Sequence, residues 1–147
     1  ASQVPIRDVA IDAVNSIARS AKGAGIASTA VRALAPAIRS GNNGVRIPAI
    51  NAVVRAVEDS QDGSAQQGAL DLLTAALDST GAIGGMEVRM MAVTAMEKVG
   101  LATTDVSTKA KAMGLLQAYA SRGSWEPEAR ARAQNAAASV QATVRRP

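Results

Sequence analysis

The chain has neither cysteine nor histidine. Lack of cysteine removes disulfides, thiolate nucleophiles and sulfur-rich metal sites. Without histidine as well, the usual zinc ligand sets, the Cys-His and Ser-His-Asp nucleophile systems and the commonest general base near neutral pH are also gone. Phenylalanine is missing too, and Tyr119 and Trp125 are the only aromatic residues. A core made from this chain must therefore rest on small and aliphatic side chains, each adding about 0.8 kcal/mol per buried methylene. No apolar run reaches the roughly 18 residues that a membrane span needs, and no basic-then-apolar leader is present. The first residue is Ala1 rather than Met, which leans toward an exported, periplasmic protein. The missing cysteines suit a cytoplasmic one equally.

What is present is a chain of 147 residues, 48% of them hydrophobic and a great many of those alanine. That is enough for one domain over residues 1–147 with a continuous core. The net charge of +4 is unevenly spread. Residues 1–56 carry seven basic and two acidic side chains, residues 57–105 two basic and eight acidic, and residues 106–147 seven basic and two acidic. Basic ends around an acidic middle argue against one uninterrupted cationic track for a nucleic-acid backbone, and would allow end-to-middle contacts between copies. Solvated helix faces with chance clustering explain the same pattern.

A block occurs four times: Ile6-Arg7 to Ile17, Val45-Arg46 to Ala56, Val88-Arg89 to Val99 and Ala129-Arg130 to Val140. Aligned on the arginine, each copy has alanine three residues later (Ala10, Ala49, Ala92, Ala133) and again three beyond (Ala13, Ala52, Ala95, Ala136). The arginines are 39, 43 and 41 residues apart. A second register runs between them, with Ala30, Ala69 and Ala112 equivalent, then Leu34, Leu73 and Leu116. Three-four spacing of apolar residues is helical, and steps of about forty residues are those of a helix pair stacked on its neighbours.

The predicted helices run from about Ile6 to Ala21, Ile26 to Arg39 (Ala30, Ala33, Leu34 and Ile38 inward, Pro36 bending it), and Val45 to Glu58 with Pro48 in its first turn. A fourth follows Ser64 as N-cap and buries Ala69, Leu72, Leu73, Ala76 and Leu77. The fifth, about Glu87 to Val99, has Met91 and Met96 in the core, and leaves Met86 and Met90 as an adaptable edge. The sixth follows Thr104-Asp105 and buries Ala112, Leu115, Leu116 and Tyr119. The seventh runs from Trp125 to Val144 with Ser124 as cap. No segment reads as a strand. The polar content of the last helix suits an end cap, whereas the first helix is apolar (Val9, Ile11, Val14, Ile17) and needs cover from its neighbour, from further sequence or from a second copy.

The openings Val45-Arg46-x-x-Ala49-x-x-Ala52-Val53 and Val88-Arg89-x-x-Ala92-x-x-Ala95-Met96 resemble HEAT or HEAT-like repeats over nearly the whole chain. The resemblance implies an all-α superhelical solenoid of about seven helices, three helix pairs preceded by a lone helix, with a half repeat at 4–22 and repeats at 26–60, 64–102 and 105–145. The aspartate that such repeats often carry just before Val-Arg is absent, so Arg7, Arg46, Arg89 and Arg130 are expected to bond to helix C-terminal carbonyls or loops.

In families of this kind the second helices line a concave surface, which here would display Asp8, Asp12, Asn15, Arg19, Asn51, Arg55, Thr94, Lys98, Arg132 and Asn135. Asp12, Asn51, Thr94 and Asn135 are equivalent and all polar. Such a column could hold an extended peptide backbone or polymer, one unit per repeat, or could simply be the solvent edge of each helix. From this surface a protein or peptide partner is expected, at Asp12, Asn15, Asn51, Arg55, Thr94, Lys98 and Asn135, with the Met86–Met90 edge as an accessory contact. The alternative is nucleic acid held by Arg32, Arg39, Arg55 and Arg145-Arg146. Enzymatic chemistry finds no support. Asp8 with Asp12, and Glu58-Asp59, read as helix-end charge, and Gly81-Ala82-Ile83-Gly84-Gly85 lacks the Lys-Ser/Thr of a phosphate loop. Neither a cofactor nor a metal is implied.

Overall fold

The structure is a computed structural model that describes residues 24–38, 43–58, 61–78, 85–123 and 125–144. The predicted first helix, with Asp12 and Asn15, lies outside the described residues, as do Arg39, Ser124, Arg145 and Arg146. The described chain is all-helical and contains no strand. Six helices follow one another: α1 (Ala24–Ile38), α2 (Asn43–Glu58), α3 (Gly63–Asp78), α4 (Met86–Ala102), α5 (Val106–Ala120) and α6 (Pro127–Val144). Among the described residues each packs on its neighbours one and two places along the chain and on no other helix. α1, α3 and α5 thus form one row and α2, α4 and α6 the other.

Both registers are buried. Ala49, Ala92 and Ala133 are wholly inaccessible, as are Ala52 and Ala136, and Ala95 is nearly so. Ala30, Ala69 and Ala112 are buried in the other row with Leu34, Leu73 and Leu116. A methyl group at these points keeps neighbouring helix axes close. At Gly100 they are closer still: a Cβ there would stand 2.8 Å from Val140 Cγ2 and 3.2 Å from the Ala112 Cβ.

Several predicted details change. Ala33 is exposed, because at 100° per residue it falls about 120° from the centre of the arc formed by Ala27, Ala30, Val31, Leu34 and Ile38. Leu115 and Met91 are only half-buried, each at the margin of its helix's apolar arc. α2 begins two residues early, at Asn43, which places Pro48 beyond the first turn, where it has no N–H to give to the turn below. α3 is capped by Asp62 rather than Ser64, the Ser64 N–H donating to Asp62 Oδ1 at 3.1 Å. α6 starts at Pro127, the position where proline costs least, so Trp125 belongs to the turn before it.

The helix pairs are tied at their turns. Asp105 caps α5, its Oδ2 accepting from the Thr108 N–H at 3.0 Å, the Thr108 hydroxyl at 2.5 Å and the Ser107 hydroxyl at 3.0 Å. These bonds, the Thr108 hydroxyl first, hold its carboxyl below the usual range. The buried Thr103 hydroxyl donates to Gln66 Oε1 at 2.6 Å, while Gln61 accepts from the Thr104 N–H and hydroxyl and donates to the Ala102 carbonyl. The α4–α5 turn is thereby fastened to the N-terminal end of α3.

The α5–α6 corner uses both aromatic residues. Tyr119 and Trp125 stack with centroids 4.6 Å apart and planes 12° apart. Arg122 lies over the Tyr119 ring, and Arg89 over Trp125. Arg89 also forms an ion pair with Glu126, the residue just ahead of α6. Of the two kinds of partner expected for Arg89, a helix C-terminal carbonyl or a loop, the loop supplies this one, through a carboxylate side chain. The position equivalent to Glu126 one repeat earlier is Gly85.

Two outcomes are expected. Gly100→Ala should lower stability by about 1–3 kcal/mol through overpacking. Gly114→Ala, where nothing stands within 4 Å, should raise it by about 0.5–1 kcal/mol through helix propensity. Urea unfolding of the two variants checks both. Burial first, then the Asp78 carboxylate, pushes the Tyr119 phenol above its ordinary pKa of 10.0. With the folded value raised, this group's contribution is whole below pH 10.0 and is lost as pH rises through the folded pKa. Phenolate absorbance of this single tyrosine should have its midpoint above that of the denatured chain, and Asp78→Asn should bring it down.

Candidate functional site

The row of α2, α4 and α6 buries its register alanines, and polar residues on the other side of each helix are left at or near the surface. Asn51 and Arg55 on α2, Lys98 on α4 and Asn135 on α6 are exposed, and Thr94 is half-buried. Between α2 and α4 runs a groove of about 190 Å³. Asn51, Thr94 and Lys98 line it together with Val54, Met90, Met91 and Ala95. Three of the residues expected to bind a partner thus meet in one place. Arg55 is one helical turn beyond Asn51, Asn135 is on α6 outside the groove, and Met86 packs on the core without lining it.

The seam between α4 and α6 is different. Arg132 donates to Glu97 Oε1 at 2.6 Å and to the Thr94 hydroxyl at 3.3 Å. Arg132 is therefore committed to a tie across the seam. The Thr94 oxygen receives Arg132 and keeps its own O–H to donate.

Register explains why one seam is tied and the other open. Position 132 is equivalent to position 91, and position 97 to position 54. The pair that is Arg132–Glu97 between α4 and α6 is Met91–Val54 between α2 and α4. An ion pair closes the first, whereas two apolar side chains leave the second as a groove with a pliable thioether at its edge. Sequence reading put Met91 in the core and missed Val54 and Ala95 as lining. The substitution of Met-Val for Arg-Glu at equivalent positions was the signal that could have found them.

Elsewhere on the described surface, Arg32 borders a depression of about 250 Å³ between α1 and α3, with Ser28, Ser64 and Gly68. It lies in the other row from Arg55. Among the described residues no helix is long and apolar enough to cross a membrane. Nor is there a group of three or more acidic side chains that could hold a metal ion. Compared with protein-family models and with curated proteins, the chain matches none.

The two roles assigned to neighbouring residues of α4 can be separated. Glu97→Gln should cost about 1 kcal/mol, because it weakens the charge-assisted bonds of a half-buried guanidinium. Lys98→Gln, on the exposed side of the same turn, should stay within about 0.5 kcal/mol of the parent. Chemical denaturation of both variants makes the comparison.

Proposed function

We propose that this chain is a HEAT-like helical-repeat scaffold without catalytic activity, a superhelical solenoid of about seven helices that binds a protein or peptide along the face shared by α2, α4 and α6. The repeats would stand at 26–60, 64–102 and 105–145, after a half repeat at 4–22. The observation that carries the reading is the convergence of Asn51, Thr94 and Lys98 on one groove with an apolar floor. A groove of that kind offers an extended chain hydrogen-bond partners along its sides and a place for one side chain below.

Spacing supports it as well. Packed helices lie about 8–10 Å apart, and an extended chain advances about 3.3 Å per residue, so Asn51, Thr94 and Asn135 would meet a bound strand about every third residue. The partner would be held by repeated small contacts rather than by one deep pocket.

A display library of random linear peptides, selected on the full chain, tests the proposal. Selected peptides should shift the amide resonances of α2 and α4 at the groove. They should also lose about tenfold in affinity for Asn51→Ala, a change equal to one good hydrogen bond of about 1.4 kcal/mol. Resonance shifts confined to α1, α3 and α5, or unchanged affinity for the variant, would overturn it.

A further inference from the structure

The charge on the groove's rim specifies a partner more closely, given the reading above that this face binds a peptide. Arg55 and Lys98 occupy equivalent positions 43 residues apart, one turn beyond Asn51 and Thr94 respectively. Both are exposed, and neither forms an ion pair among the described residues. The carboxylate next to Lys98, Glu97, is taken by Arg132. Glu58, exposed at the end of α2, pairs with neither cation.

The floor beneath them is apolar: Val54 and Ala95 are buried, and Met90 and Met91 are half-buried. A cavity of about 150 Å³ holds a benzene ring. The 190 Å³ here has room for one leucine-sized side chain.

A long polyanion fits this arrangement poorly. The position equivalent to Arg55 and Lys98 on α6 is Ser139, whose hydroxyl donates to the Asn135 carbonyl. The cationic column is therefore two residues long on the described helices and does not continue as a backbone track. Two cations above a single apolar slot match a short segment that offers carboxylates beside one aliphatic side chain.

We infer that the α2–α4 groove takes an extended acidic peptide, seating one leucine-like side chain against Met90, Met91 and Val54 and directing flanking carboxylates to Lys98 and Arg55. Electrostatic complementarity of this sort sets orientation and selects against basic competitors.

The test uses the full chain and three fluorescent peptides of equal length: one leucine among aspartates and glutamates, the same with serine for leucine, and the same leucine among lysines. The protein is compared with the double variant Lys98→Glu, Arg55→Glu, both exposed sites, whose thermal midpoint should match the parent. Fluorescence anisotropy should show binding of the acidic leucine peptide, weakened at least tenfold by the serine replacement and at least tenfold by the double variant. The lysine peptide should bind the double variant better than the parent. Equal binding of acidic and basic peptides, or indifference to the double variant, overturns the inference. So does failure of the acidic leucine peptide where display-selected peptides do reach the groove, and in that case the peptide-binding reading stands. If no selected peptide reaches the groove either, both fall.

Discussion

Close approach of helices through alanine is the constraint on which the rest depends. At the equivalent sites Ala49, Ala92 and Ala133 of one row, and Ala30, Ala69 and Ala112 of the other, a larger side chain would push neighbouring axes apart. Gly100 marks the extreme, where even one carbon would meet Val140 and Ala112. Each such contact stabilises little, so most of the core is distributed, with the buried Tyr119–Trp125 stack as its aromatic contribution among the described residues. Leu34, Leu73 and Leu116, once per pair, supply bulk that the alanines do not, together with Ile38, Ile50, Leu70, Leu77 and Met96.

A core of small contacts leaves orientation underdetermined, and the polar ties at the turns supply it. Thr103 to Gln66 is a buried bond between repeats, and Asp105 collects three donors at the start of α5. The Arg89, Trp125, Tyr119 and Arg122 stack does the same at the α5–α6 corner, with Glu126 and Asp78 balancing the guanidinium charges. Stacking and cation–π attraction are directional, unlike alanine burial, so they fix the angle at which the last helix leaves the array.

What was legible in the sequence was whatever repeats. The three-four spacing and the arginine and leucine registers placed the described helices and named their buried alanines, because periodicity reports the burial of a face. Features found once were not legible. Ser64 and Asp62 are both good caps, and only the path of the chain decides that α3 starts at Gly63. Trp125 continues an apolar pattern, yet its ring serves Tyr119 rather than a helix face. The candidate site was half legible: Asn51 and Thr94 came from the polar column and Lys98 from the outward positions one turn beyond it, but the groove itself depends on which cross-seam pairs are ionic, a property of two helices at once.

That dependence explains why the groove lies between α2 and α4. Among equivalent seams the array can close one with Arg132 and Glu97 and open another with Met91 and Val54 without altering the alanine registers beneath. The outer layer is free to vary because the inner layer carries the fold. In a stack of this construction a surface groove needs no insertion or special loop. It needs only the replacement of a salt bridge by two apolar residues at one step, with cations beyond it that no carboxylate pairs among the described residues. Arg55 and Lys98 are in that position, and on the proposed reading the charge of a partner, more than its shape, would govern what enters.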